Sequence, residues 1–413
     1  MRLLITLVAV CTGSLLLAQW SEIQDLKQYQ TFHHTYNEDT AFFVSYDWNS
    51  PIIYRTLDGG QTLDTTVLSM IQHSWLLDIC FPSANVGYAC GGTAFGTVQS
   101  PILKTSDGGQ SWDTLVANRF GYELGTVHFV DEQTGFFGGS GQLIKTTDGG
   151  NTFTTHTLGN GVGVVKDLYF KNANTGFALQ QSRIYKTTDG GLSWTEVFSD
   201  TTAAASHYVV SISFPQNGNT GYVINRSSGV IKTTDNGDNW QQTGLVQDSV
   251  WATCIEFTDA VVGYAGTLNP MNFDQAGRIY ITRDGGQSWE LQYQAGAGLV
   301  AGPVTSIGMA NTQVGYAMMG SYILKTVNGG IGLGSLPGTK NWYLYPNPAR
   351  HQFKLELEEG DDVEEISMLD MRGRKIQEWE PSDTYHLKQL PPGLYFIRIK
   401  SGGLIHTEKL RLE

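Results

Sequence analysis

A nine-residue stretch that returns along most of the chain constrains its fold more than any other feature. The clearest copy is KTSDGGQSW at residues 104–112. Close copies begin at Lys145, Lys186, Lys232 and Ile281, and looser copies begin at Arg55 and Lys325. The acid or amide of the copies falls at Asp58, Asp107, Asp148, Asp189, Asp235, Asp284 and Asn328, 41 to 49 residues apart. A repeat of this period is typical of solenoids and β-propellers.

Each copy has the composition of a β-hairpin. Short β-rich runs stand on both sides of the Asp-Gly-Gly, whose glycines tolerate positive φ. The carboxylate can accept hydrogen bonds from the amides of its own turn, and a following tryptophan can cover the turn. Those tryptophans are Trp112, Trp194, Trp240 and Trp289. The repeated acid could instead be catalytic or bind a metal. A site needs one constellation, whereas a fold needs many identical turns, so we favour the structural role.

The stretch resembles the Asp-box, or bacterial neuraminidase repeat, whose pattern is S/T-x-D-x-G-x-T/S-W. Five copies fit this pattern closely, and the copies at Asp58 and Asn328 fit it loosely. The resemblance implies a β-propeller, because the Asp-box marks a hairpin of propeller blades. It implies no particular activity, since sialidases, sortilin-type receptors, xyloglucanases and photosystem II assembly-factor propellers all carry it.

A second pattern, F-x-x-x-x-x-G-Y/F, precedes the repeated stretch and brings each unit to four strands. It occurs, for example, at Phe81 with Gly87-Tyr88 and at Phe170 with Gly176-Phe177. In the second unit we predict strands over residues 75–81, 87–92, 102–105 and 112–116. Four short strands in about 45 residues form a propeller blade. The chain is thus predicted to be all-β, with seven blades over residues 19–335.

The seventh unit lacks its last strand, and residues 19–23 offer a spare one. Its Trp20-x-x-Ile23 resembles the Trp112-x-x-Leu115 of an outer strand. We therefore expect the N-terminal segment to pair into the last blade, which would close the ring and cover an open sheet edge.

Residues 1–18 have the pattern of a secretory signal peptide, with Arg2, an apolar run and a small residue at the cut. No other stretch is long and apolar enough to span a bilayer. The 39 acidic and 26 basic residues give a net charge of −13, which disfavours nucleic acid and anionic membranes as partners. Three cysteines follow the predicted cut, namely Cys80, Cys90 and Cys254. Cys80 and Cys90 could pair, but we favour buried free thiols.

A Gly-rich stretch with one proline at residues 329–340 ends the repeat and predicts a linker at residues 336–341. Residues 342–413 contain short alternating runs that predict a small Ig-like β-sandwich. The tail contains Pro346-Asn347-Pro348, Gly373, Gly393-Leu394-Tyr395 and Lys409. In these motifs it resembles the type A C-terminal sorting domain of the type IX secretion system. The resemblance implies an organism with an outer membrane. It also implies two partners, the type IX machinery and its sortase-like processing protease. An ordinary Ig-like module is the alternative interpretation.

No catalytic motif stands out. The sequence has no His-Glu-x-x-His, P-loop, Gly-x-Ser-x-Gly or EF-hand pattern. His33-His34 lies in a predicted strand, where adjacent side chains point to opposite faces, so we expect no metal there. A sialidase needs three arginines around the substrate carboxylate. The propeller has Arg55, Arg119, Arg183, Arg226, Arg278 and Arg283, but no Phe-Arg-Ile-Pro-like motif. We therefore predict no catalytic residue, no metal and no cofactor.

Variable loops opposite the Asp-box end form the predicted ligand-binding face, because binding usually lies on loops carried by a rigid scaffold. In an antiparallel blade the second-to-third loops and the blade connections share that end. The irregular segments there are residues 46–51, 93–100, 118–125, 200–208 and 267–277. They carry Tyr46, Trp48, Phe95, Phe120, Tyr122, Tyr208, Asn269, Phe273 and Asp274. Such side chains can stack on sugars or hold a peptide, although they can also simply pack the loops.

The sequence as a whole predicts an exported, non-catalytic binding or scaffold propeller with an extracellular glycan or protein ligand. The alternative is a glycan-active hydrolase of sialidase or xyloglucanase type. A glycoside hydrolase of the xyloglucanase kind needs two carboxylates facing each other across the cleft, which distinguishes the two hypotheses.

Overall fold

The computed structural model describes residues 20–26, 30–46, 50–71, 73–93, 100–116, 120–200, 208–227, 229–246, 250–268, 277–294, 302–329, 343–345, 349–356, 365–370, 375–382, 384–401 and 404–412. The chain divides into two compact units, Trp20–Gly330 and a second that holds Ile331–Glu413. The predicted signal peptide and the predicted linker at residues 336–341 lie outside the described residues. None of the described helices is long and apolar enough to span a membrane.

The first unit is a ring of seven four-stranded antiparallel sheets, which confirms the prediction of a seven-bladed β-propeller. The first strand of each blade lies innermost, beside the first strand of the next blade, all the way round the ring. In the second blade every strand lies within one residue of its predicted bounds. Two short 3-10 helices, Ser69–Ile71 and Pro215–Asn217, lie in the connections.

The strands are numbered in chain order. Strand β1 (Ser21–Asp25) precedes blade 1, which consists of β2 (Gln30–Thr35), β3 (Ala41–Tyr46), β4 (Pro51–Thr56) and β5 (Asp64–Val67). Blade 2 consists of β6 (Ser74–Cys80), β7 (Gly87–Thr93), β8 (Ile102–Thr105) and β9 (Asp113–Val116). Blade 3 consists of β10 (Thr126–Phe129), β11 (Gly135–Gly138), β12 (Gln142–Thr146) and β13 (Thr154–Thr157). Blade 4 consists of β14 (Val165–Phe170), β15 (Gly176–Gln180), β16 (Arg183–Thr187) and β17 (Thr195–Ser199).

Blade 5 consists of β18 (Val209–Ser213), β19 (Gly221–Asn225), β20 (Gly229–Thr233) and β21 (Gln241–Leu245). Blade 6 consists of β22 (Trp251–Phe257), β23 (Gly263–Leu268), β24 (Arg278–Thr282) and β25 (Glu290–Gln294). Blade 7 consists of β26 (Val304–Met309), β27 (Gly315–Met319), β28 (Tyr322–Thr326) and, on its outer edge, β1.

Stacked aromatic rings join neighbouring blades. Phe136 of blade 3 stacks on Phe170 of blade 4, with ring centroids 3.6 Å apart, and Phe170 meets Trp194 of its own blade edge-on at 5.9 Å. A Cβ on Gly176 would overlap the Phe170 ring, which explains the glycine in the F-x-x-x-x-x-G-Y/F pattern. The equivalent stacks are Phe42–Phe81, Tyr88–Phe129, Phe177–Phe214 and Tyr222–Phe257. The second pattern is therefore the aromatic joint between blades.

The basic residue at the start of the Asp-box links one box to the next. Lys145 Nζ donates a hydrogen bond to Gly190 O of the following blade at 2.8 Å and lies over the Phe136 ring, 5.5 Å from its centroid. Equivalent hydrogen bonds run from Arg55 to Gly108 O, from Lys104 to Gly149 O, from Lys186 to Asn236 O and from Lys325 to Gly59 O. Hydrogen bonds to charged donors are stronger than neutral ones, so these contacts reinforce the aromatic stacks.

The N-terminal strand closes the ring, as the sequence predicts. Strand β1 pairs antiparallel with β28, from Ser21 opposite Lys325 to Asp25 opposite Tyr322. Trp20 is fully buried and meets Tyr264 of blade 6 edge-on at 6.0 Å. Ile23 lies against Gly60 of the next box, as Leu115 lies against Gly150. Trp20 and Ile23 thus supply to blade 7 what Trp112 and Leu115 supply to blade 2.

The second unit contains two small sheets. One has the order β32 (Lys375–Trp379), β31 (Glu365–Leu369), β34 (Gly393–Ser401) and β35 (Leu404–Leu412). The other joins β29 (Tyr343–Tyr345), β30 (Gln352–Glu356) and β33 (Tyr385–His386). Buried residues of both sheets, among them Phe353, Tyr385 and Ile397, form one hydrophobic core. An Ig-like strand arrangement stays a prediction.

We expect Trp240→Ala to lower the free energy of unfolding by about 3 kcal/mol or more, as truncation of a buried aromatic residue does. Trp240 is 7% exposed and packs edge-on against Phe214 and Phe177. Chemical denaturation followed by fluorescence measures the change. Trp194→Ala, at a half-buried equivalent, is the matched control and should cost less. Equal and small losses at both positions would contradict this role of the box tryptophan.

Deleting residues 19–23 should lower the melting temperature strongly and produce aggregates, because the deletion exposes the edge of β28 and empties the Trp20 site. Light scattering and thermal unfolding measure both effects. Gln24→Ala, at an exposed position of the same strand, is the control and should behave like the parent. A deletion variant that stays monomeric and equally stable would show that β1 adds nothing to ring closure.

Candidate functional site at the mouth of the channel

The predicted ligand-binding residues fall into three groups in the structure. Trp48, Phe95, Asn269, Phe273 and Asp274 lie outside the described residues. Tyr46 ends strand β3 at the predicted face, and Tyr208 stands just before β18 with 36% of its surface exposed. Phe120 and Tyr122 lie in the connection between blades 2 and 3, and both are half-buried rather than exposed. Of the described residues, Tyr122 is the predicted residue that lines a pocket.

That pocket opens where the inner strands begin, at the end of the ring opposite the Asp-boxes. Its volume is about 560 Å³. The lining residues come from four consecutive blades and their connections, and are Phe32, Leu77, Gly121, Tyr122, Glu123, Gly125, Ser140, Val164, Val165 and Lys166. Phe32, Leu77 and Lys166 belong to inner strands, so the pocket forms one side of the mouth of the central channel. We call it the channel-mouth pocket.

A repeated break in strand register places two of the lining residues. Near the start of six inner strands, the pairing with the second strand skips a position. In β6 the break lies between Leu76 and Asp78, and in β14 between Val165 and Asp167, so Leu77 and Lys166 are the skipped residues. A β-bulge redirects a side chain at the cost of regular pairing, and bulges often stand next to binding sites. No sequence pattern predicts these bulges.

Backbone contacts fix the segment that carries Tyr122 and Glu123. Leu124 N donates to Gly91 O at 3.0 Å, and Gly125 N donates to Gly138 O at 2.8 Å. Ser100 Oγ donates to the Tyr122 carbonyl at 2.7 Å. The Tyr122 ring lies directly over Gly139, where a Cβ would overlap it. The wall of the pocket is therefore a rigid connection, although it contains no regular strand.

The Tyr122 side chain packs well but leaves a hydrogen-bonding group unused among the described residues. Its hydroxyl is buried and has no hydrogen-bond partner among the described residues. Burial also raises the pKa of this phenol, so it stays protonated and remains a potential hydrogen-bond donor. Phe120 packs 6.2 Å from the Phe153 ring and 6.3 Å from the Tyr122 ring. Phe120 thus packs against the Tyr122 part of the pocket wall.

The pocket carries one acid and one base on apolar walls. Glu123 and Lys166 are exposed, and the Glu123 stem lies over Gly92. Val164 is 45% exposed at the rim, and the neighbouring Val162 is 58% exposed. Apolar walls with a few polar groups are the usual composition of a ligand site.

Carboxyl groups line the channel beyond the pocket and connect its inner strands. Asp78 accepts a hydrogen bond from Val127 N of blade 3 at 2.8 Å, and Asp167 accepts one from Ile212 N of blade 5 at 2.9 Å. Withdrawal from water raises the pKa of Asp78 to about 6 and that of Asp167 to about 7. These acids satisfy amides of inner strand edges that have no further strand to pair with.

A second pocket, of about 570 Å³, lies toward the Asp-box end among blades 4 to 7. Its lining includes Tyr169, Ser213, Glu256 and Met309. Burial raises the pKa of Glu256 to about 8, and Ser213 Oγ donates to this carboxyl at 3.4 Å. Ser213 Oγ and the Tyr169 hydroxyl already contact backbone atoms of neighbouring blades. Ser213 and Tyr169 therefore stabilise the contacts between blades.

The box acids are occupied by their own turns. Asp107 accepts hydrogen bonds from Ser111 N at 3.0 Å, Ser111 Oγ at 2.6 Å and Thr105 Oγ1 at 2.8 Å. Gly108 and Gly109 have φ of 71° and 81°, which glycine adopts without strain. The Ser111 hydrogen bonds lower the pKa of Asp107 to about 2. The same arrangement recurs at Asp58, Asp148, Asp189, Asp235 and Asp284.

The remaining candidates for chemistry are dispersed. Arg55 pairs with Asp64, Arg183 with Glu196 and Arg283 with Glu290, each on a different hairpin, while Arg226 stacks on Trp251 and Arg278 contacts Tyr280. Arg119 lies outside the described residues.

The adjacent histidines point to opposite neighbours, as predicted. His33 Nδ1 lies 2.5 Å from Ser306 Oγ of blade 7, and His34 packs on Phe81 of blade 2. Cys80, Cys90 and Cys254 are free thiols. Among the described residues no group of three His, Cys, Asp or Glu side chains is arranged to hold a metal ion.

In the second unit, the described sorting-motif residues lie on two paired strands. Gly393 stands opposite Leu412, Leu394 opposite Arg411, and Lys409 opposite Phe396. The Tyr395 hydroxyl donates to Pro391 O at 3.0 Å. Pro346, Asn347, Pro348 and Gly373 lie outside the described residues.

Comparisons with known proteins agree with this architecture. Residues 160–354 match the family model described as Photosynthesis system II assembly factor YCF48, and residues 343–413 match the one described as Secretion system C-terminal sorting domain. The curated protein Karilysin of Tannerella forsythia is 36% identical over 81 residues. That alignment covers 16% of this chain and only 17% of Karilysin.

Solved structures with the same fold include two YCF48 propellers. YCF48 bound to D1 peptide superposes with a TM-score of 0.57 and 16% identity, over 75% of this chain and 97% of that chain. YCF48 from Cyanidioschyzon merolae gives a TM-score of 0.57 and 15% identity, over 74% of this chain and 98% of its own.

A GH74 xyloglucanase from Xanthomonas campestris gives a TM-score of 0.58 and 13% identity, over 82% of this chain and 59% of that chain. Identities this low establish a shared fold and nothing further. With the seven blades, the boxes and the matched tail together, the chain is an Asp-box β-propeller similar to the YCF48 propellers that carries a type IX secretion system C-terminal sorting domain.

Proposed function

We propose that this chain is an exported, non-catalytic binding propeller that holds an extracellular ligand at the channel-mouth pocket. The observation that carries the proposal is the pocket itself. Two register breaks and a firmly bonded connection converge on it, and its apolar walls carry an exposed acid and an exposed base. Such an arrangement suits recognition, because the pocket needs little reorganisation to receive a ligand.

The sorting domain at residues 343–413 supports export to the cell surface or into the medium. We propose that the tail addresses the type IX machinery and is then removed by a processing protease. The propeller has its own hydrophobic cores, and the two sheets of the tail share a separate core. We therefore propose that the ligand-binding propeller and the sorting domain are separate domains.

Binding is favoured over glycan hydrolysis by the composition of the pocket. Hydrolysis of a glycosidic bond uses two carboxyl groups that face each other across the substrate. Among the described lining residues of the channel-mouth pocket, Glu123 is the carboxylate. The similarity to the xyloglucanase reflects the propeller fold. The solved structure of YCF48 bound to D1 peptide, which has the same fold, supports the proposal of a binding propeller.

Removing residues 342–413 should leave the propeller folded but prevent it from reaching the outer surface. The expected result in the native host is accumulation in the periplasm, measured by mass spectrometry of surface, medium and periplasmic fractions. A variant that lacks only the exposed side chain of Lys375, Lys375→Ala, is the control and should be exported normally. Normal amounts of the truncated protein at the surface would refute the sorting role.

Leu77→Arg should abolish ligand binding without unfolding the propeller, because the new side chain would occupy the channel-mouth pocket. A glycan and peptide array probed with the full chain measures binding. Val67→Arg, at an exposed position of the outer strand β5, makes the same change of size and charge away from the mouth and should bind normally. Undiminished binding by Leu77→Arg would place the ligand elsewhere. Sugar release by the parent chain would favour the hydrolase.

A further inference from the structure

The channel-mouth pocket has apolar walls and two charged residues. This composition limits the kinds of ligand that the pocket can bind. Its floor and one side are aliphatic or aromatic, from Phe32, Leu77, Val164 and Val165. The aliphatic side chains of Leu77, Val164 and Val165 provide no hydrogen-bonding groups for the hydroxyls of a sugar. They are well suited to an apolar side chain inserted from outside.

The lining of the pocket holds one acid and one base, and the charge of the whole chain indicates which of the two a partner meets first. Glu123 is the acid and is exposed at the rim. Lys166 is the base among the lining residues. The whole chain carries a net charge of −13. A cationic partner is therefore attracted at long range and meets a carboxylate at the rim.

Each of the two charged rim residues has a place in this recognition. Glu123 extends from a connection that backbone hydrogen bonds hold in place, and its stem packs over Gly92, so the side chain leaves the wall from a fixed position. Lys166 stands at the start of β14 and lines the same pocket, where an ammonium group can donate to backbone carbonyls. An extended peptide carries such carbonyls on both sides of an inserted side chain.

We propose, on the basis of the binding function above, that the channel-mouth pocket recognises a protein segment in which an apolar side chain is adjacent to a basic residue. The apolar side chain enters the pocket beside Leu77 and Val164. The neighbouring Lys or Arg pairs with Glu123, and Lys166 donates to the peptide backbone. Glu123 is thus the residue that determines specificity, and Leu77 provides the apolar contact.

A charge reversal tests this assignment. The full chain selects from a displayed library of random linear peptides, and sequencing of the selected peptides gives the preference. We expect motifs that place Lys or Arg next to a large apolar residue. Glu123→Lys should weaken binding of those motifs by about tenfold or more, as loss of a specificity-determining contact does. It should also select peptides with Asp or Glu at the same place.

The matched control is Asp113→Lys, which makes the same change in charge at an exposed position of the outer strand β9. It should leave the selected motif unchanged. The inference is overturned if Asp113→Lys shifts the preference as much as Glu123→Lys, or if Glu123→Lys leaves the motif unchanged. Binding of a glycan with no peptide selected also overturns it, while the proposed binding function stands. Absence of any bound glycan or peptide would count against both.

Discussion

The aromatic joint between blades is the contact on which the rest of this propeller depends. In blade 4, Phe170 is enclosed by Phe136 of the preceding blade, by its own Trp194 and by the bare backbone of Gly176. One side chain thus links two blades and a hairpin turn. Because every blade has only two neighbours, the stability of the ring rests on the repetition of such nearest-neighbour contacts. In five of the boxes the basic residue at the start adds a charged hydrogen bond across the same joint.

The two joints that lack this stack are the places where the ring closes. Met309 stands in blade 7 where other blades have phenylalanine, and Thr35 stands in blade 1 at the equivalent position. At the first of these joints Trp20 supplies an aromatic ring from the N-terminal strand. At the second, the Tyr316 hydroxyl donates to Glu38 O at 2.8 Å and Thr35 Oγ1 donates to Gly308 O at 3.1 Å. The tyrosine contact recurs at Tyr88 and Tyr222, so the Thr35 hydrogen bond is the contact that stands in place of the ring pair at this joint.

The two ends of the ring have different roles. One end stabilises the fold, and the other carries the proposed binding surface. At the Asp-box end the carboxylates, together with Trp194, Trp240 and Trp289, form hydrogen bonds within their own turns. Lysines such as Lys145 donate to the next blade. These polar groups therefore stabilise the fold. At the opposite end the connections differ from blade to blade, and bulges direct inner-strand side chains toward the channel. A binding surface can vary there without disturbing the joints. The sorting domain is a further module with its own core.

The sequence by itself determined the number of blades, the place of the boxes and the closing strand, because each is encoded by a local pattern. The Asp-Gly-Gly turn depends on positive φ and on a nearby hydroxyl, and the spare Trp20-x-x-Ile23 repeats an outer-strand motif. Tertiary structure alone decided where the pocket lies. The bulges at Leu77 and Lys166 are properties of pairing between two strands, and the burial of Phe120 depends on Phe153 of another blade. Such features arise from contacts between segments distant in sequence, so no local sequence pattern predicts them.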